Sequence, residues 1–113
     1  MRETEGFGRL VMEALVERHG EVSETEAAQL FGVSATWFRH AFKRRMNMSF
    51  RDARLRAKID YGALLLTTTE LSISDISGSL GYSNRNKFEK AFKSAYGVTP
   101  TVYRRIAADS EKL

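Results

Sequence analysis

The strongest constraint on this chain is that it repeats itself. Gly32-Val33-Ser34 recurs as Gly81-Tyr82-Ser83, and Phe38, Ala41-Phe42-Lys43 and Met48-Ser49 recur as Phe88, Ala91-Phe92-Lys93 and Val98-Thr99. The first match has an offset of 49 and the others of 50, so one inserted residue between Ser83 and Phe88 accounts for the change. Each copy reads as a short helix, a glycine turn, a serine cap and a longer basic helix, which is the helix-turn-helix layout. In such a unit the short helix and the apolar face of the longer one lock each other at a steep angle. The polar face of the longer helix is then left outward, where it can enter a major groove. One such pattern arises often by chance; two in tandem are much harder to obtain.

Composition narrows the alternatives. A chain of 113 residues makes one domain or two very small subdomains. With 42% hydrophobic and 28% charged residues it is globular rather than disordered. One proline points to an almost wholly helical chain. The absence of cysteine excludes disulfides, thiolate zinc sites and a cysteine nucleophile. His19 and His40 are too few and too far apart for a metal cluster, so neither metal nor cofactor is expected. No apolar run approaches the ~18 residues of a membrane span, and no signal peptide opens the sequence.

Seven helices follow from periodicity and caps. Phe7, Leu10, Val11, Ala14 and Leu15 form one apolar stripe on a first helix that ends near His19-Gly20. Ser23 with Glu26 has capping-box spacing and opens a second helix to Phe31, stopped by Gly32. Ser34 caps a third helix, with Phe38, Ala41 and Phe42 inward, ending near Met46 with Asn47 as a left-handed cap. Ser49 caps a long fourth helix to about Leu66, whose inward stripe is Phe50, Ala53, Ala57, Tyr61, Leu64 and Leu65. Gly62 inside it costs ~1 kcal/mol against alanine, which close approach of another helix would offset. The Thr67-Thr68-Thr69 run breaks the pattern. Ser72 with Asp75 opens a fifth helix that Gly81 stops. Ser83 caps a sixth, with Phe88, Ala91, Phe92 and Tyr96 inward, ended by Gly97. Thr99-Pro100, an N-cap followed by proline at the first helical position, opens a seventh to about Ala108. The expected division is a first helix-turn-helix subdomain over 7–48, a linker helix over 49–67 and a second subdomain over 68–108.

Charge is segregated along this order. Residues 1–33 carry a net −4, 34–58 a net +7, 59–82 a net −3 and 83–105 a net +5. Two basic blocks at matched positions of a repeat point to a polyanion, here double-stranded DNA.

In Ile73-Ser-Asp-Ile76, Leu80-Gly-Tyr-Ser83, Phe88, Ala91-Phe-Lys93, Gly97-Val-Thr-Pro100 and Tyr103-Arg104, the chain resembles the DNA-binding domain of the AraC/XylS family of bacterial transcription regulators. The first half matches through Ala28, Gly32-Val-Ser34, Phe38, Phe42-Lys43, Ser49-Phe50 and Leu64-Leu65, so the resemblance covers about Leu10 to Arg105. Departures are Ser77-Gly78 for an alanine-rich pair, Ala53 for an aromatic, Gly62 for alanine and Asn47 for glycine. The resemblance implies an all-α, homeodomain-like fold: two helix-turn-helix subdomains joined by the fourth helix, with the third and sixth helices in successive major-groove segments. It implies regulation, chiefly activation, of transcription in the bacterial cytoplasm, on the nucleoid when bound. It also implies RNA polymerase as a further partner. Such domains form the carboxy-terminal part of larger regulators, so an amino-terminal effector-binding or dimerisation domain is an expectation for the parent protein.

The outward faces supply the candidate readers. On the third helix the inward stripe leaves Thr36, Arg39, His40 and Lys43 outside. Arg39 can pair with guanine O6 and N7, His40 can donate to a base or a phosphate, and Thr36 can meet a thymine methyl. The resemblance makes these three positions base readers. Lys43, Arg44 and Arg45 suit phosphates or plain solvation. On the sixth helix Arg85, Asn86, Glu89 and Lys90 face out. Asn86 suits adenine, Arg85 guanine, and Glu89 either cytosine N4 or an i,i+4 partner of Arg85 or Lys93. The resemblance implies that this second reader is the less base-specific one. Helix amino ends at Ser23–Thr25, Ser72–Ser74 and Thr99–Thr101 offer N–H groups to phosphates, as well as ordinary capping, and Lys93 and Arg104 add charge. An architectural, weakly specific DNA binder is the alternative; it would not need outward faces that differ. An enzyme would need a nucleophile–base set, phosphate loop or carboxylate dyad, and none stands out.

Overall fold

Side-chain caps set where all but the first of the described helices begin. The computed structural model describes residues 6–111, and those residues form seven helices and no strand: α1 Phe7–Glu17, α2 Glu24–Leu30, α3 Ala35–Met46, α4 Phe50–Thr68, α5 Ile73–Ser79, α6 Arg85–Tyr96 and α7 Pro100–Glu111. The all-α architecture with paired short and long helices is therefore the observed one. Ser23, Ser34, Ser49, Ser72 and Thr99 each accept the backbone N–H three residues on, at 3.0–3.3 Å. At α2 the box is reciprocal, because Glu26 Oε1 also accepts the Ser23 N–H at 3.0 Å. Substituting such a cap by alanine costs about 1 kcal/mol. Left-handed residues follow five of the described helices: His19 and Gly20 after α1, Gly32 after α2, Asn47 after α3, Gly81 after α5 and Gly97 after α6 all have positive φ.

One cap differs from expectation. Ser83 does not start α6; Asn84 does, its Oδ1 accepting the Lys87 N–H at 3.0 Å. The inserted residue of the second repeat is thus absorbed in the turn, before the helix. Asn84 then matches Ser34 at the same offset of 50 as the phenylalanines, and Phe88 keeps the position of Phe38 within its helix.

Close contacts divide the chain into two compact units, Met1–Lys58 and Ile59–Leu113. The first unit packs α1, α2, α3 and the start of α4 around Phe7, Leu15, Phe38, Phe42 and Phe50, all 2% exposed or less. The second packs the end of α4 with α5, α6 and α7 around Leu66, Ile76, Phe88 and Phe92. Fully burying side chains of this size contributes roughly 1.5–3 kcal/mol each. The buried stripe of α1 is narrower than expected: Phe7, Val11 and Leu15 are inside, while Leu10 is 44% exposed.

The α4 stripe also needs correction. Its buried apolar residues are Phe50, Ala53 and Ala57 in the first core and Ile59, Ala63 and Leu66 in the second. Leu64 is 53% exposed, and Tyr61 and Leu65 are only half-buried. At ~100° per residue, the step from Ala57 to Ile59 turns the buried line by ~200° around the helix. A single stripe cannot describe a helix that changes face in this way. The threonine run does not break α4, which continues to Thr68; the Thr67, Thr68 and Thr69 hydroxyls donate to carbonyls of Ala63–Leu65 at 2.7–3.5 Å. They occupy carbonyls near a helix end. Gly62 has the close neighbours its position demanded, since a Cβ there would lie 3.0 Å from Leu80 Cδ1 and 3.1 Å from Phe88 Cε1.

Candidate nucleic-acid interface

The third helix is held by its aromatic face. Phe38 lies 5.1–6.5 Å, centroid to centroid, from Phe7, Phe31, Phe42 and Phe50. With that face fixed, Thr36, Arg39, His40, Lys43 and Arg44 are all exposed on the opposite side. Trp37 stands between: its ring meets Phe7 edge-on at 5.7 Å, and it remains 40% exposed. Arg45 caps the same cluster, its guanidinium 5.5 Å from the Phe7 ring centroid. That cation–π contact gives Arg45 a structural role that charge alone did not reveal.

Arg39 is not simply solvated. Its Nη1 donates to Glu24 Oε1 at 3.0 Å, tying the centre of α3 to the first turn of α2. The pair is partly exposed, with worth at the 0–1 kcal/mol scale of surface ion pairs, so a better acceptor can displace it. The start of α2 carries its own carboxylates, Glu24 and Glu26. Ser23 acts there as a cap. The hydrogen bonds from its backbone N–H and its hydroxyl hold the Glu26 carboxyl below its ordinary value, with Arg18 and Arg54 adding to the effect. A phosphate at Ser23–Thr25 meets two resident negative charges, which weakens that position as an anion site. Thr25 itself is exposed.

The sixth helix repeats the plan. Phe88 and Phe92 are fully buried and 5.8 Å apart, while Arg85, Asn86, Lys90 and Lys93 are exposed. Glu89 is half-buried and accepts an ion pair from Arg85 Nε at 3.4 Å, one of the partners its spacing allowed. Ser72 and Thr99 are caps in the structure. Arg104 needs revision as a phosphate ligand. Its Nε donates to Leu66 O at 2.9 Å and its Nη2 to Thr69 O at 3.2 Å, so it closes the carbonyl end of α4. A cation at a helix carboxyl end is favourable there in its own right. Two further internal contacts were not visible in local spacing: the Tyr96 hydroxyl donates to Asp60 Oδ1 at 2.6 Å, and buried Ser77 donates its hydroxyl to Asn84 O at 3.2 Å. Ser77, one of the departures noted above, therefore stitches α5 to the start of α6.

Two units of this form, each with a short helix locking the apolar face of a basic one, define a DNA-binding protein of the tandem helix-turn-helix class. The chain matches the helix-turn-helix domain family over residues 27–106 and belongs to it, in its AraC/XylS form. Its family is one of DNA-binding transcription regulators, not of enzymes. The Msm operon regulatory protein of Streptococcus mutans is 30% identical over 80 residues, which cover 71% of this chain and 29% of that protein. An AraC-type transcriptional regulator structure from Chromobacterium violaceum superposes with a TM-score of 0.83 at 20% identity, over 96% of this chain and 97% of that one. The DNA-binding domain of AdpA, described as a global transcriptional factor and solved with a target DNA, superposes with a TM-score of 0.72 at 18% identity, over 88% and 90%. This chain spans well under half the length of curated relatives that it matches, 29% of one and 42% of another. No described helix is long and apolar enough to cross a membrane.

Proposed function

We propose that the chain reads a specific double-stranded DNA sequence through α3 and α6, set in successive major-groove segments, and that it serves a regulator which activates bacterial transcription. The observation that carries this reading is the contrast between inner and outer faces. The inner faces are copies, Phe38 and Phe42 against Phe88 and Phe92, all 0% exposed. The outer faces are different: Thr36, Arg39 and His40 in one unit, Arg85, Asn86, Glu89 and Lys90 in the other. A binder that recognised only the phosphate chain has no use for that difference. Lys43, Arg44 and Lys93 are assigned to phosphates, with Thr25, Thr101 and their neighbouring helix ends as secondary contacts. Activation, contact with RNA polymerase, action at the nucleoid in the cytoplasm and an amino-terminal effector-binding or dimerisation domain rest on family membership.

Two unlike readers on one chain suit an asymmetric site, with no two-fold axis. The test is selection of bound duplexes from a random pool, followed by footprinting at low protein concentration with stoichiometry from sedimentation. One chain protecting one asymmetric site is the expected result. Equal affinity for selected and random duplexes would establish the architectural alternative instead. A palindrome bound only by two chains, one reader per half-site, would refute tandem reading.

A further inference from the structure

Half of the first basic block lies outside the reading helix. Of the cations between residues 34 and 58, Arg51, Arg54, Arg56 and Lys58 belong to α4, and base reading gives them no task. Arg51, Arg54 and Lys58 fall at i, i+3 and i+7, on one side of the helix. Together with Leu55 and Gly20 they line a concavity of about 160 Å3 in the first unit. Its wall is built closely. Gly20, at φ +81°, sits so near α4 that a Cβ would lie 2.6 Å from Arg54 O and 3.2 Å from Lys58 N. The Arg54 Nε reaches back to Gly20 O at 3.5 Å, which directs its guanidinium along the cleft wall.

Arg51 and Arg54 set two positive charges one helical turn apart on this cleft. Among the described residues neither Arg51 nor Arg54 closes an ion pair. Asp52, the one acidic residue between 34 and 58, leaves α4 on another side. Glu26 feels Arg54, but its two oxygens are held by the Ser23 N–H at 3.0 Å and by Arg18 at 3.7 Å. Like charges three and four residues apart repel on a helix. A low-dielectric cleft lined by one sign of charge concentrates the opposite one. We infer that the Gly20–Arg51–Arg54–Lys58 cleft is a phosphate-binding site, distinct from the reading face of α3. The phosphate belongs either to the DNA backbone or to a small phosphorylated molecule. The first source rests on the proposed function; the second does not.

The test compares wild type with Arg51→Gln and Arg51→Lys, chosen because Arg51 is exposed. In one arm, affinity for selected and random duplexes is measured against salt. In the other, the Gly20 amide and the Arg51 and Arg54 side-chain signals are followed by NMR while inorganic pyrophosphate is added. If the source is DNA, Arg51→Gln weakens both duplexes alike and lowers the steepness of the log–log salt dependence by about 0.9, the value of one phosphate contact. Arg51→Lys then restores it. If the source is a free phosphate, duplex binding is unchanged and the pyrophosphate shifts disappear in Arg51→Gln. No change in salt dependence together with no pyrophosphate shift in wild type overturns the site. A wild-type chain that binds no duplex at all would overturn the proposed function, with the cleft then decided by the pyrophosphate arm.

Discussion

The two units solve one packing problem with different chemistry. Each must cover a pair of phenylalanines one helical turn apart on its long helix. The first unit does so with hydrocarbon: Phe7, Phe31 and Phe50 surround Phe38, and Phe50 also meets Phe42 edge-on at 5.5 Å. The second uses tyrosines. Tyr96 stacks on Phe92 at 4.6 Å, Tyr103 meets it at 5.3 Å, and Tyr82 lies 5.6 Å from Phe88. A tyrosine can cover an aromatic face and still direct its hydroxyl to a polar partner, as Tyr96 does with Asp60. The difference shows that what the repeat preserves is the anchor and its phase. The covering groups, like the outward residues, have diverged.

Breaking the anchors has the largest expected effect. Phe42→Ala and Phe92→Ala should each cost ~3–5 kcal/mol, against ~5–15 kcal/mol for the stability of a whole domain. Trp37, the single tryptophan, belongs to the first unit and reports on it alone. Phe42→Ala should lower the melting temperature seen by tryptophan fluorescence. Phe92→Ala should lower the one seen by circular dichroism. The fluorescence transition will follow Phe92→Ala only as far as the units unfold together. A Phe92→Ala variant that melts like wild type would contradict the buried position of α6 described above.

The next effect separates the two readers. Arg39 is paired with a residue of another helix, Glu24, whereas Arg85 is paired within its own helix to Glu89. Arg39→Ala should lose ~1–3 kcal/mol on the preferred duplex and relax preference at one base pair. Arg85→Ala should lose less, because its neighbouring carboxylate follows it to the interface. Binding titrations on the selected site and on single-base variants measure both. Equal losses on random DNA would make Arg39 a phosphate contact.

These contrasts also show what could be read from the sequence. Helix starts at Ser23, Ser34, Ser49, Ser72 and Thr99 were legible because capping is decided within four residues. The start at Asn84 was not, because Ser83 and Asn84 are both able caps and the choice falls to the phase in which Phe88 is buried. The outward readers could be derived as the complement of the inward phenylalanines. The change of face in α4 could not, since two overlapping stripes look like one irregular stripe. Nor could the roles of Arg104 and Arg54, whose partners Leu66, Thr69 and Gly20 lie more than 30 residues away. Such contacts depend on the packed fold and leave no local pattern.

A smaller effect concerns how the long helices end. Asn47 closes α3 at φ 57° and Gly97 closes α6 at φ 81°, each donating its N–H to a lysine carbonyl, Lys43 or Lys93. A side chain in the left-handed region costs up to ~1–2 kcal/mol, less for asparagine, while glycine adds ~0.4–1 kcal/mol of unfolded-chain entropy. Asn47→Gly should therefore stabilise the first unit by roughly 0.5 kcal/mol, and Gly97→Asn should destabilise the second by a similar amount. Chemical denaturation of both variants checks the pair. The same sign in both variants would mean that the two ends are not equivalent.

The smallest effect sharpens the comparison at the short helices. In α2 the capping box is complete, with Ser23 and Glu26 each accepting the other's N–H. In α5 the described bond runs one way, from the Asp75 N–H to Ser72 Oγ at 3.0 Å. The carboxyl of Glu26, held below its ordinary 4.5 by the Ser23 hydrogen bonds, binds its proton less readily in the folded chain than in the unfolded one. The stability it contributes is thus fully present above the unfolded value and is lost as pH falls through the lower folded value. Glu26→Gln should melt below wild type at neutral pH, with the gap closing as acid is added beyond the ordinary carboxylate range. Asp75→Glu, one methylene longer, should complete the second box and give α5 the same acid-sensitive increment. A gap between wild type and Glu26→Gln that is equal at neutral pH and at about pH 3 would show that the carboxylate is not what the box at α2 depends on.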